Sequence, residues 1–226
     1  MTIVEIGMVA ADTTRTNHYL VQLIKNDLLP AYVLIMINSD LKLLPGQKDS
    51  SSKSKVIKLL DKKKIQYDIA PNNDINSHEV ISLISRRKEQ TFIFSGFGGV
   101  ILRKDILNTG KKFLHVHGGY LPDYKGSTTN YYSLIQENKM GASSIFLTKD
   151  IDCGPVILRR KFQTPKDRKE IDHIYDSEVR SKVLIETIRN YVKNQSWDFE
   201  LENNLGGETY YIIHPVLKHL AILGKE

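Results

Sequence analysis

Two hydrophobic patterns alternate through the first hundred residues. Residues 2–10 (TIVEIGMVA) read as a first strand, the apolar runs at 32–38 (YVLIMIN) and 91–94 (TFIF) read as strands buried in a parallel sheet, and 65–70 reads as a shorter one. Between them, apolar residues recur at helical spacing over about 15–28, behind Thr13 and Thr14 as caps. They recur again over 53–64, where Val56, Ile57, Leu59 and Leu60 share a face, and over 77–88. Strand and helix in repeated alternation predict an α/β fold with a doubly wound, mostly parallel, Rossmann-like sheet. Pro30-Ala31 punctuates the first crossover. Residues 41–54, with Pro45-Gly46 and three consecutive serines, read as an irregular loop suited to a substrate lid.

The pattern changes at 113–126, FLHVHGGYLPDYKG, where an apolar strand carries two histidines and runs into a glycine pair. His115 and His117 stand at i and i+2 and so share one strand face. A helix is expected over 129–138 behind Ser127-Thr128 as caps, then strands at 140–148 and 155–162 flanking Asp150-Ile151-Asp152-Cys153-Gly154-Pro155. A long amphipathic helix is expected from about 169 to 194, with Ile174, Val179, Val183, Ile188 and Val192 on its apolar side. Residues 1–195 are expected to form the catalytic domain and 196–226 an extension. The apolar stretch 210–216 of that extension reads as a homodimer interface or a folded-back hairpin. His214 and His219 pack or face solvent.

Charge and composition narrow the classes. A net charge of +6 favours anionic partners. The two dense basic runs, Lys62-Lys63-Lys64 and Arg86-Arg87-Lys88, end predicted helices, where they answer the helix dipole. No basic stripe interleaved with aromatics argues for nucleic acid. No run of 18 apolar residues argues for a membrane span, and the N-terminus has no basic region ahead of its apolar part, so a cytoplasmic protein is expected. The single cysteine, Cys153, excludes an intrachain disulfide and a cysteine-rich metal site, and reads as a small packed thiol.

A histidine able to move protons, a carboxylate to orient it and glycines that let a ligand approach make a coherent site only together. His-x-His with one aspartate could also hold zinc through three ligands, a secondary use of the same residues; no metal is the expectation. The stretch resembles the folate-dependent formyltransferases, whose site is written N-x-H-P-S, then L-L-P-x-Y-x-G, then an aspartate in D-x-G-P. His117, the run Leu121-Pro122-Asp123-Tyr124-Lys125-Gly126, and Asp152-Cys153-Gly154-Pro155 stand at those positions, over about residues 90–160. Two departures stand out: His115 occupies the asparagine position, and Gly118-Gly119 replaces Pro-Ser.

The resemblance implies transfer of a formyl group from N10-formyltetrahydrofolate to a primary amine. His117 would be electrophile or proton shuttle, Asp152 its orienting partner, and His115 a second oxyanion donor. It places the folate pocket at Phe97, Gly98, Gly99, Val100, Ile101 and Leu102, with Ile151 from the aspartate loop. The glycinamide ribonucleotide enzymes hold a phosphate in a Gly/Ser/Asn loop at the first strand-helix junction. Here the junction is Ala-Ala-Asp-Thr-Thr-Arg-Thr-Asn. The methionyl-tRNA members carry a further C-terminal domain, for which 226 residues leave little room. The implied acceptor is therefore a small phosphorylated amine, a nucleotide-linked amino sugar, met by Tyr120, Tyr124, Lys125, Gly126, Tyr132 and Arg15. Glycinamide ribonucleotide transfer, hydrolysis of formyl-folate and a folate-binding pseudoenzyme are the competing readings.

Overall fold

The computed structural model describes residues 2–37 and 54–224; the loop expected at 41–54 lies outside them except for Ser54. The chain forms two compact units, 1–113 and 114–226. In the first, four strands alternate with helices: β1 (Thr2–Ala11), α1 (Thr14–Lys25), β2 (Leu28–Met36), α2 (Lys55–Lys63), β3 (Tyr67–Ile69), α3 (His78–Ser85), β4 (Thr91–Ser95) and the short α4 (Lys104–Leu107). The strand order is β3-β2-β1-β4, and every pairing is parallel. The apolar runs explain this: all five residues of β4 and eight of the nine in β2 are buried, as strands covered on both faces must be. Three helices open on a hydroxyl cap. Thr13, Ser54 and Ser77 accept from the backbone N–H of Thr16, Ile57 and Val80 at 3.2, 3.0 and 3.3 Å.

Three expectations are corrected in this unit. The first helix stops at Lys25, because Asn26 caps it and Asp27 turns left-handed, and Pro30 lies inside β2 rather than before it. Pro30 faces Val4 where the β1–β2 register shifts, the kind of irregularity that accepts a residue without an N–H. Arg87 does not serve the end of α3. Its guanidinium lies 3.8 Å over the Tyr32 ring and its Nε pairs with Glu89 at 3.0 Å.

β5 (Lys112–His117) runs from the end of the first unit into the second. After it come β6 (Tyr124–Gly126), α5 (Thr129–Glu137), β7 (Lys139–Phe146), β8 (Val156–Gln163), a 3₁₀ turn (Arg168–Glu170), a π-helical turn (Ile171–Tyr175), α6 (Asp176–Asn194), β9 (Glu208–Tyr210) and α7 (Pro215–Leu223). β7 pairs antiparallel with both β5 and β8, so the fold is α/β, mostly parallel, with an antiparallel end. The helix expected from residue 169 is regular only from Asp176. Thr128 is left-handed and makes no cap; its hydroxyl instead accepts from Ile213 N–H at 2.9 Å.

The tail is neither hairpin nor detached. β9 pairs in parallel with β6, and Ile213 and Ala221 are buried with Tyr131, Leu134, Met140 and Ile171. His214 is exposed and caps α7 through Nδ1; His219 is exposed. Val216, Leu217, Leu220 and Leu223 of α7 are also exposed. Among the described residues no helix is long and apolar enough to cross a membrane.

Candidate active site

His117 closes β5, and the turn into β6 decides its chemistry. Its Nε2 lies 2.7 Å from the Tyr124 carbonyl oxygen, which can only accept, so Nε2 carries a proton and donates it. The other ring nitrogen, Nδ1, lies 3.3 Å from Asp152 Oδ2. That oxygen also accepts from the Gly126 N–H at 2.8 Å. Both side chains are nearly buried, so the contact sits where charge is weakly screened. Asp152 itself is left-handed, with φ of 52°. Two residues on, a Cβ at Gly154 would stand 1.7 Å from the Phe146 carbonyl oxygen, which makes glycine obligatory where the loop passes β7. Cys153 is a free, partly buried thiol.

The glycine pair after His117 has a steric cause. At Gly118 a Cβ would meet the Arg180 guanidinium at 2.4 Å, and at Gly119 the Tyr124 carbonyl at 2.4 Å and His117 Nε2 at 2.7 Å. Arg180 Nη1 donates to the Val116 carbonyl at 3.1 Å, and Thr129 Oγ1 to the Gly118 carbonyl at 2.7 Å. The backbone is thus tied on both sides of His117. Asp176 holds the guanidinium in turn, through Arg180 Nε at 2.8 Å.

Of the other expected site residues, His115 is half-buried on β5 opposite Ile145, on the face it shares with His117. The Tyr120 ring has the Arg159 guanidinium and the Lys161 ammonium each 4.8 Å from its centre. Tyr124 is buried, stacked on Tyr210 at 5.6 Å, and donates its hydroxyl to Glu137 at 2.7 Å; burial and that carboxylate push its pKa well above the ordinary phenol value. Lys125 turns inward, its ammonium donating to the carbonyls of Asn204 at 2.8 Å and Gly206 at 2.7 Å. Tyr132 leans on Tyr210 at 4.5 Å and donates to the Tyr211 carbonyl at 3.2 Å. Tyr124, Lys125 and Tyr132 thus bond their polar ends to their own chain. In the first unit Arg15 donates to the Gly96 carbonyl rather than standing open at the start of α1.

Phe97, Gly98, Gly99, Val100, Ile101 and Leu102 form the loop after β4. A Cβ at Gly98 or Gly99 would meet nothing within 4 Å, and Ile101 is half exposed, so the loop has open space around its glycines. Ile151, beside Asp152, is also half exposed. Among the described residues no cluster of three metal-ligating side chains occurs.

Residues 6–187 match the formyl transferase family model. The chain belongs to the formyl transferase family. Among curated proteins it is similar to methionyl-tRNA formyltransferase of Finegoldia magna, 26% identical over 125 residues, which are 53% of this chain and 40% of that protein. The chain thus aligns with about two fifths of the length of such relatives. Among solved structures, glycinamide ribonucleotide transformylase 1 from Symbiobacterium toebii superposes with a TM-score of 0.62 at 13% identity, covering 89% of this chain and 95% of that one. The N-formyltransferase from Helicobacter canadensis, solved with folinic acid and dTDP-3-aminofucose, gives 0.59 at 17%, covering 93% and 71%. At these identities the likeness is one of fold.

Sequence reasoning missed Arg180, Asp176, Thr129 and Asn204. Arg180 and Asp176 lie on a helix legible only as amphipathic, and Asn204 lies in a tail without a motif. The glycine pair at 118–119 was the available signal, because such a pair marks a place where something else needs the space.

Proposed function

We propose that the protein transfers the formyl group of N10-formyltetrahydrofolate to the primary amine of a small phosphorylated acceptor, a nucleotide-linked amino sugar. The observation that carries this reading is the chain of contacts from Gly126 N–H to Asp152 Oδ2 to His117 Nδ1, with His117 Nε2 fixed on a backbone carbonyl. The open glycine backbone at 98–99 fits the flat heterocycle of the folate. Bound formyl-folate would supply an activated formyl carbonyl, and everything else falls to the protein's side chains.

Acyl transfer to nitrogen needs a proton taken from the attacking amine and returned to the leaving nitrogen, and donors for the oxygen that gains charge. Because Nε2 is held by Tyr124, the working edge of His117 is Nδ1, paired with Asp152. That pair holds and returns the proton. The oxyanion donor is then His115, whose ring N–H replaces the amide of the family asparagine. Support for a sugar nucleotide as acceptor comes from the Thr13-capped junction before α1, which departs from the Gly/Ser/Asn phosphate loop, and from the basic charge.

The test is formyl transfer from N10-formyltetrahydrofolate to a panel of nucleotide-linked amino sugars, with glycinamide ribonucleotide and water as competing acceptors. One amino sugar should be formylated. Folate release without any amine would mark a hydrolase instead. His117→Ala and Asp152→Asn should each lower turnover by about 10² to 10⁴ with melting temperature nearly kept. His115→Ala should lose roughly 10² to 10³, whereas His115→Asn keeps activity. An Asn variant as inactive as Ala would remove His115 from the mechanism.

A further inference from the structure

The C-terminal segment makes contacts that an appendage would not make. Asn204 is fully buried, and its side-chain Nδ2 donates to the backbone carbonyl of Asp152. Its own carbonyl takes one of two hydrogen bonds from the ammonium of Lys125; the other goes to Gly206. Four residues after Asn204, β9 begins its pairing with β6, and Gly126, the last residue of β6, donates to Asp152 Oδ2. One stretch of chain therefore holds Asp152 by its backbone and also holds the strand that positions its carboxylate.

The fit is close. At Gly207, with φ of 74°, a Cβ would stand 1.7 Å from the Pro122 carbonyl oxygen, and at Gly126, with φ of 95°, 2.1 Å from that of Tyr210. Only glycine permits either approach. Asp152 keeps an uncommon left-handed backbone, and such a conformation persists only where its surroundings over-determine it. Lys125 is the second sign. A cation with 4% exposure gains little from two carbonyls compared with its lost hydration, and an apolar side chain of similar length would stabilise the fold at least as well.

Resting on the formyl-transfer reading, we propose that residues 204–210 are a strap that sets the catalytic geometry of Asp152, with Asn204 and Lys125 as positioning residues. Neither touches the reacting atoms; both act through Asp152. The chain accepts a buried ammonium to fix a carboxylate that loop geometry alone would leave loose.

The experiment compares Lys125→Met and Asn204→Ala with the unaltered chain. Lys125→Met should melt at the same temperature or higher, yet lose about tenfold to a hundredfold in kcat, with KM for folate and acceptor within twofold. In an Asp152→Asn background neither substitution should lower turnover further, because the group they position is already gone. A variant that melts early but keeps its kcat per folded molecule, or that adds its full loss to that of Asp152→Asn, overturns the strap. A second readout needs no turnover: the His117 ring resonances, assigned by their absence in His117→Ala, should move in both variants. If they stay in place, the strap does not set this site. If they move while no acceptor is ever formylated, the strap stands and the formyl-transfer reading is what fails.

Discussion

The two units solve different problems with chains of similar length. Among the described residues of the first, four polar side chains are buried: Thr16, Glu89, Thr91 and Ser95. In the second there are twelve, and five of them, His117, Lys125, Thr129, Asp152 and Asn204, belong to the bonds around Asp152 and His117. The first unit is held by apolar strands that any well-packed parallel sheet would use. The second places polar groups where burial without partners would cost about 1 to 3 kcal/mol each, and provides partners for most of them, the amide oxygens of Asn130 and Asn204 being the exceptions. Apolar burial tolerates exchange of one hydrocarbon for another, whereas a polar network has one solution. The proton transfer proposed for His117 and Asp152 would need that single solution.

Glycine substitution sharpens the contrast most. Gly154→Ala should destabilise the protein by about 3 kcal/mol or more, since the added methyl meets the Phe146 backbone oxygen and no side chain can move aside for it. Because Asp152 is two residues away, turnover should fall further than the folded fraction. Gly98→Ala, with open space around it, should leave stability within about 0.5 kcal/mol. If the loop at 97–102 holds the folate, KM for the folate alone should rise. Denaturation midpoints with steady-state kinetics separate the two cases, and equal destabilisation by both would end the comparison.

Inside the first unit, Glu89 is the exception, and it gives the second prediction. Burial alone would raise its pKa. The guanidinium of Arg87, bonded to it at 3.0 and 3.1 Å, a backbone hydrogen bond and the charge of Lys88 together outweigh that and hold the carboxyl below its usual value. Arg87→Ala leaves an almost wholly buried carboxylate unpaired and strips the cation from the Tyr32 ring. The loss at neutral pH should be about 3 kcal/mol. A depressed carboxylate contributes its stability above the ordinary carboxylate pKa and loses it as pH falls through the folded value, so unaltered and variant proteins should converge in acid. Turnover should be unchanged, which a network reaching from this pair to the chemistry would contradict.

How much of this was legible in the sequence depends on the same contrast. The first unit is readable nearly to its boundaries, because strand and helix announce themselves through apolar period and hydroxyl caps; the Asn26-Asp27 turn, Pro30 and the part taken by Arg87 are the departures. In the second, His117, Asp152 and the loop between them were readable as a motif with fixed spacing. Their supports were not. Lys125 reads from the sequence only as one of the residues meeting the acceptor, and its inward turn depends on carbonyls 79 and 81 residues further along. Arg180 reaches the carbonyl of Val116 across 64 residues. Period and capping are local signals; contacts of this kind have none.

The smallest expected effect tests whether every ion pair of the second unit belongs to its network. Glu137 accepts from Lys161 at 2.6 Å and from the Tyr124 hydroxyl at 2.7 Å, and these two, the ammonium first, hold its carboxyl below the usual range. Tyr124 also supplies the carbonyl that fixes His117, so the pair lies one residue's breadth from the site. Yet the Glu137 and Lys161 side chains are 32% and 37% exposed, and solvent screens such a pair. Glu137→Gln keeps the shape and an accepting oxygen while removing the charge. It should cost only about 0.5 kcal/mol near pH 7. A depressed carboxyl stabilises above its unfolded pKa, so the difference should be complete at neutral pH and vanish as pH falls through the folded value. Urea midpoints at pH 7 and pH 3 read that directly. Turnover should not change, because the hold on His117 comes from the backbone oxygen of Tyr124 and not from its ring. A large fall in kcat would show that the tyrosine side chain governs its own carbonyl, and would extend the polar network out to the surface of α5.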